Sequence, residues 1–515
     1  MTTHAHSIIE PMKIDIDISK VRNKEVWLEL AKEVANHPDN FALWEKLINL
    51  TAFLPSINLK TKIEINHLAQ PSVKQLLLLC YENLLVYFPY LEQYWVNYAR
   101  WFYRFNDLEK SLQTFQRALS ILPGSILLWN TYLDLLLKIN SNNSEMLNHF
   151  EEARMAIGYN YYSFFFYDKY LLFLQQNDMI SETHLLLRRI LEVPQHEYAK
   201  YFKAYMGLID SADLKTIKYI ITKEDLQNDF GMSWSDLFKQ ENLTSVKTEV
   251  RKRIADLYIT TQYYAWKFYQ YEKNLSTQYY VPNEPLTRLE LQTWRSYLEF
   301  VENLNLKLVA KEKEVALKKN NSNVIDTLYR RCLIVTGSYH FFWIKYSNYY
   351  LNLNDIEKAK DILLQGIYMN PISNLKPRLR LVELYILNLE FDKAKALVME
   401  GLELLPHNLQ LFLKLLEVEH FTMPSNVEKL VTAKLAEISR IKNKELENQF
   451  DYLFVEMLNY SCITIHKLKK IFDKYKNKDS FYFTKAKKQF EQFYFGTSGV
   501  ASSKILPDGF SCEYF

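Results

Sequence analysis

The stretch FPYLEQYWVNYARWFYRFNDLEKSLQTFQRALSILP (88–123) contains one complete structural unit. Its first half carries Trp95-Val-Asn-Tyr98, two large rings three residues apart. Positions i and i+3 share a helix face, so the pair fills the space against a partner helix. Its second half, Leu108 to Pro123, has apolar residues at helical spacing and closes on proline. Proline cannot continue the hydrogen-bond ladder and restricts the residue before it. The unit reads as helix A, a turn, then helix B.

The unit recurs. The aromatic-x-x-Tyr motif returns at Trp129/Tyr132, Tyr167/Tyr170, Phe202/Tyr205, Trp266/Tyr269, Trp294/Tyr297 and Trp343/Tyr346, with a degenerate copy at Trp44. From Trp95 to Phe202 successive starts differ by 34, 38 and 35 residues, the size of a helix-turn-helix repeat. Helix B returns as IEKAKDILLQGIYMNP (356–371) and FDKAKALVMEGLELLP (391–406), with a cousin ending at Pro194. Small residues at Ala118, Gly366 and Gly401 let neighbouring helices approach. One pair cannot bury its apolar face alone, so pairs must stack into a solenoid. The motif aromatics are expected to be core.

Composition agrees. Of 515 residues only 10 are Gly, while 48% are apolar and 15% aromatic. Scarce glycine favours helices over hairpins and phosphate-cradling loops. The four cysteines, Cys80, Cys332, Cys462 and Cys512, form no CxxC pair and read as reduced thiols. No signal peptide is expected from the opening MTTHAHSIIEPMK, and no apolar run nears the roughly 20 residues of a membrane span. Neither secretion nor a membrane location is expected.

Catalytic patterns such as GxGxxG, Walker A, HExxH and GxSxG are missing from the sequence. His4 and His6 make a poor metal site, and no cofactor or enzymatic activity is expected. Net charge is +3, from 63 basic and 60 acidic residues, which does not by itself call for nucleic acid. Residues 464–490 stand out with nine lysines and two acids. There Lys467, Lys469, Lys470, Lys474, Lys485, Lys487 and Lys488 offer a track for phosphates or an acidic partner. The competing reading is a solvated helix pair whose Phe and Tyr are core. The lack of Arg, the better stacker, favours it.

Repeat strength divides the chain into an N-terminal segment (1–40), a first arc (41–214), a polar linker (215–255), a second arc (256–495) and a disordered tail (496–515). A charged stretch, Lys307 to Asn323, is expected to be a helix end followed by a solvated loop. After Pro406 the repeat degrades. The apolar segments LQLFLKLL (409–416) and FDYLFVEML (450–458) are then expected to need cover from a second solenoid.

The helix A and B pattern resembles half-a-TPR (HAT) repeats; the Gly that ordinary TPRs place after the Trp is replaced by Ala99, Leu133, Leu171, Leu298 and Ser347. Three stretches are more specific: residues 88–119 with LLWNTYLDLL, RRILEVPQHEYAKYF (188–202), and YYVPNEPLTRLELQTWRSYLEF (279–300) with RRCLIVTGSYHFFWIKYSNYYL (330–351). These resemble the pre-mRNA-processing factor 39/42 family, leaning to the factor 42 paralogue. The resemblance covers about residues 41–405.

The resemblance implies an all-α, two-arc HAT solenoid that scaffolds the U1 snRNP during 5′ splice-site recognition in the nucleus. It implies dimerisation through the second arc, with a paralogous HAT protein or as a homodimer. It also implies contacts to U1 proteins including the zinc-finger C subunit, and a mainly indirect association with U1 snRNA. Two alternatives stand beside it. A scaffold of the cleavage-stimulation or crooked-neck type would show more evenly spaced repeats. A TPR-like co-chaperone would need inward-facing basic residues on successive A helices, where this chain has aromatic or neutral ones.

Overall fold

The computed structural model describes residues 24–54, 63–139, 142–213, 216–220, 240–310, 315–457, 465–475 and 478–495. His4, His6, Cys462, residues 215 and 221–239 of the expected linker, and the 496–515 tail with Cys512 lie outside them. The chain opens with α1 (Lys24–Asn36) and α2 (Phe41–Ala52), then a two-residue antiparallel ladder of β1 (Phe53–Leu54) and β2 (Ile63–Glu64). There follow α3 (Pro71–Tyr87), α4 (Glu92–Arg104), α5 (Leu108–Ile121), α6 (Ile126–Ile139), α7 (Asn143–Ile157), α8 (Phe164–Gln176), α9 (Ile180–Leu191), α10 (Tyr198–Ser211) and α11 (Ile217–Ile220). Next come the long helices α12 (Gln240–Glu272), α13 (Arg288–Ala310) and α14 (Val315–Thr336). Regular pairs resume as α15 (His340–Asn352), α16 (Ile356–Met369), α17 (Lys376–Leu387), α18 (Phe391–Leu404) and α19 (Leu409–Thr422). The last described helices are α20 (Pro424–Ile441), α21 (Lys444–Phe450), α22 (Tyr452–Met457), α23 (Ile465–Lys474) and α24 (Phe481–Phe495). The fold is an all-α helical repeat.

Local chemistry explains the pairs. At the A-to-B turns Asn106, Asp178, Asn354 and Leu389 adopt left-handed backbone, a conformation Asn and Asp tolerate better than most residues. The next residue then caps helix B in two of them: Asp107 accepts from the Lys110 amide and Asp355 from the Lys358 amide, both at 3.1 Å. Helix B stops two residues short of Pro123, Pro371 and Pro406. The proline then serves the next helix A: the indole N–H of Trp44, Trp95 and Trp129 donates to the carbonyl of Pro38, Pro89 and Pro123, at 2.9, 2.8 and 2.9 Å. A buried indole thereby keeps its polar atom satisfied. At Gly366 a Cβ would lie 2.9 Å from Trp343 Cγ, so the close approach there requires glycine.

The chain forms two compact units, one ending at Phe342 and one beginning at Trp343. This boundary differs from the 215–255 segment where the repeat weakens, and α12 begins inside that segment. In the first unit α12 packs on α9 and α10, and α14 packs on α7, so residues after 255 join the core of the first repeats. The Lys307–Asn323 stretch is more helical than its charge suggests: α13 runs to Ala310 and α14 starts at Val315. Its Lys, Ala and Leu are good helix formers.

In the second unit Leu411, Phe412, Leu415 and Leu416 of α19 share one core with Val427, Val431, Phe450, Leu453, Phe454, Phe472 and Phe483. This corrects the expectation that 409–416 and 450–458 await a second solenoid, for all but residue 458, which lies outside the described residues. Helices α20 to α24 cover them within the same chain, because their aromatics supply the missing apolar faces although their repeat spacing is lost.

Candidate functional site

The repeat aromatics have two fates. Trp44, Trp95, Tyr98, Trp129, Tyr132, Tyr167, Tyr170, Trp294, Tyr297, Trp343 and Tyr346 are buried. Trp266 is 54% exposed and its motif partner Tyr269 is also exposed, which corrects the core assignment of Trp266. Helix α12 buries Ile254, Thr261, Ala265, Phe268 and Glu272. That stripe includes a threonine and a glutamate, so a count of apolar residues does not mark it as the inward face. Trp266 sits one residue, about 100°, off it.

The tyrosine hydroxyls of the repeats meet carboxylates on neighbouring helices, each with a cation. Tyr98 donates to Glu82 at 2.8 Å, and Arg117 pairs with the same carboxylate. Tyr170 donates to Glu151 at 3.0 Å, beside Arg154 at 2.9 Å and Arg189 at 3.2 Å. Tyr201 donates to Asp168 at 2.8 Å, which also holds Lys200 at 2.6 Å. Burial, then the adjacent carboxylate, pushes the Tyr98 and Tyr170 hydroxyls above their ordinary range. These are structural clips between repeats. They account for part of the chain's wealth of tyrosine.

A larger polar centre lies inside the first unit. Arg331 forks onto buried Glu272 through bonds of 2.6 and 2.7 Å and donates to Gln278 at 2.8 Å. Its guanidinium lies 5.0 Å from the Tyr162 ring and 5.4 Å from that of Trp294. Nearby Thr287 and Glu290 form a capping box: Thr287 Oγ1 accepts from the Glu290 amide at 3.2 Å, and Glu290 accepts from the Thr287 amide at 3.3 Å. Ser276 and Thr277 also donate to Glu290. Burial alone would raise this carboxyl, but hydrogen bonds from Ser276, Thr287 and Thr277 bring it down to about 2. Burial pushes the Cys80 and Cys332 thiols up to about 12, where they are unreactive. No group of His, Cys, Asp and Glu suited to a metal, and no helix long and apolar enough to cross a membrane, occurs among the described residues.

The lysine-rich segment separates into two faces. Phe472, Phe483 and Phe490 are buried, with Phe472 5.7 Å from Phe483 and 5.4 Å from Phe490. Lys469, Lys470, Lys474, Lys487 and Lys488 are exposed, Lys485 is half-buried, and Lys467 is engaged by Glu428 at 2.9 Å. The buried rings are therefore withheld from base stacking. Elsewhere in the second unit Leu387, Leu389, Phe421 and Met423 are exposed around successive A-to-B turns. Leu389 is 74% exposed while holding a left-handed φ of 61°, a costly place for a branched apolar residue. Sequence periodicity missed this edge and the α12 face, since neither follows the repeat's core positions.

Comparison with known proteins gives the context. Residues 28–207 match the model for the PRP39 N-terminal HAT repeat, and residues 266–420 that for the PRP39 C-terminal HAT repeat. The chain is 28% identical over 346 residues to the U1 small nuclear ribonucleoprotein component PRP42 of Saccharomyces cerevisiae, covering 66% of this chain and 59% of that one. It is 24% identical to pre-mRNA-processing factor 39 of Schizosaccharomyces pombe, covering 64% of this chain and 53% of the relative. To human pre-mRNA-processing factor 39 it is 23% identical, covering 64% and 48%. The chain thus spans about half to three-fifths of the length of these relatives. The solved structure of CSTF-77 aligns with 81% of this chain and 93% of its own at a TM-score of 0.39 and 10% identity, a likeness too loose to bear on function.

Proposed function

The chain belongs to the pre-mRNA-processing factor 39/42 family of HAT-repeat proteins, and from that membership we propose that it is a structural, non-catalytic subunit of a U1 snRNP acting in pre-mRNA splicing. The observation that carries the reading is the match of both HAT models together with likeness to a protein named as a U1 component. A nuclear location follows from it. The higher identity to PRP42 than to the factor 39 proteins supports the factor 42 side. The non-catalytic part is supported by chemistry: Cys80 and Cys332 are buried with thiols pushed up to about 12, and the Tyr–carboxylate–cation groups are saturated by one another.

The partners in this reading are a paralogous HAT protein or a second copy, and U1 proteins including the C subunit. The division into a first arc with U1-protein contacts and a second, dimerising arc belongs to the same proposal. The exposed edge of Leu387, Leu389, Phe421 and Met423 supports the dimer, because apolar side chains clustered at successive turns mark an interface. Contact with U1 snRNA is mainly indirect. The exposed lysines offer phosphate contacts while Phe472, Phe483 and Phe490 are withheld from stacking and Phe481 is exposed, so the isolated chain should bind RNA weakly and lose about a thousandfold or more between 50 and 200 mM salt if six or more phosphates are engaged.

The test is affinity purification of the tagged full chain with sequencing of the RNA and identification of the proteins retained. U1 snRNA and a second HAT chain are expected, the latter reduced by Leu387→Asp with Leu389→Asp. Retention of a cleavage-stimulation complex, or of chaperones without U1 snRNA, would overturn the reading.

A further inference from the structure

Helix α12 turns Ile254, Thr261, Ala265 and Phe268 into the first unit. Its opposite side carries Ile259, Tyr263 and Trp266 at i, i+4 and i+7, so the three form one continuous ridge. All three are more than half exposed. Single exposed apolar residues are ordinary, but a contiguous row that includes Trp and Tyr has the composition of a binding hot spot.

The charge along the ridge changes sign from end to end: exposed Asp256 lies one turn before Ile259, and the Trp266 end is cationic. From Leu257 to Tyr271 the only charged residue is Lys267, whose Nζ stands 5.4 Å from the Tyr263 ring centroid and 5.1 Å from that of Trp266. The next acid along, Glu272, is buried and bonded to Arg331. Exposed Lys273 extends the cationic margin. The complement of its Trp266 end is apolar and edged with carboxylates.

We propose that this ridge docks a protein partner through an amphipathic helix whose apolar stripe is bordered by Asp or Glu. Ridges of this spacing pack into the grooves of a second helix, and the carboxylates reach Lys267 and Lys273. Single-stranded RNA is the poorer fit. Base stacking needs free ring faces, Lys267 lies over both rings, and Ile259 has no stacking role. The proposal rests on the subunit reading above, since the particle supplies the partner.

The full chain carrying Trp266→p-benzoylphenylalanine is assembled into the U1 particle, irradiated, and the cross-linked residues mapped. The expected product joins position 266 to an acid-flanked apolar segment of another protein. In parallel, Tyr263→Asp with Trp266→Asp should lower retention in the particle at least about tenfold, as loss of a hot spot does, with an unchanged circular-dichroism spectrum. A cross-link to RNA, a cross-link to a second copy of this chain, or none from an assembled particle overturns the ridge and leaves the subunit reading intact. Failure of the wild-type chain to enter the particle overturns both.

Discussion

Two copies of one motif, Trp129-Asn-Thr-Tyr132 on α6 and Trp266-Lys-Phe-Tyr269 on α12, look alike in sequence and end on opposite sides of their helices. On α6 both rings are buried, their centroids 6.3 Å apart, and the indole is tied to the Pro123 carbonyl. On α12 both rings are exposed, and Phe268, between them, is the residue in the core. The difference lies in what precedes the motif. Trp129 follows a proline by six residues, which fixes where helix A starts and which face meets the preceding helix B. Trp266 lies deep in a 33-residue helix with no such start signal. The spacing of two aromatics shows that they share a face; the register of the helix decides whether that face is inside.

The largest effects should come from breaking the buried side. Trp129→Ala and Trp343→Ala should each cost about 3–5 kcal/mol, the range for large aromatics removed from cores, measured by urea denaturation of the respective unit. Either variant keeping wild-type stability would place its ring outside the core energetics.

Removing one partner of the Arg331–Glu272 pair should be comparable. Arg331→Ala should destabilise the first unit by about 3–5 kcal/mol because it strands a buried carboxylate. Replacing both residues with apolar ones should recover much of that loss, and a double variant as unstable as the single would argue that packing on Tyr162 and Trp294 dominates.

The capping box predicts an acid-sensitive contribution. Glu290 is held at about 2, below its ordinary 4.5, so its stabilisation is fully present above pH 4.5 and is lost as pH falls toward 2. Glu290→Gln should therefore lower stability at pH 7 and flatten the acid limb between pH 4.5 and 2. An unchanged limb would assign that window to other carboxylates.

A smaller effect is expected at Gly366. Gly366→Ala pushes a methyl against Trp343 and should cost about 1–3 kcal/mol, as overpacking does. A neutral substitution there would mean that the second unit yields more easily than its contact suggests.

Much of this architecture can be read from the chain before any coordinates. The prolines at 123, 371 and 406 stop their helices, the small residues at Gly366 and Gly401 sit where a Cβ would crowd Trp343 and Leu411, and the interleaved aromatics at 472, 483 and 490 are core. Three things escape. The face of α12 is hidden because its inward stripe includes Thr261 and Glu272, which a count of apolar residues assigns to solvent. The Tyr98–Glu82 and Arg331–Glu272 contacts join residues 16 and 59 positions apart, beyond any local pattern. The cover over α19 comes from helices that have lost the repeat spacing but kept its aromatics.

Trp129 and Trp266 lie in the same compact unit, so urea denaturation of Trp129→Ala and Trp266→Ala side by side tests most directly whether helix register, and not the motif, sets the role of these rings. The account predicts that Trp129→Ala loses about 3–5 kcal/mol, while Trp266→Ala stays within about 0.5 kcal/mol of wild type, as exposed substitutions do. Equal losses at the two positions would contradict it.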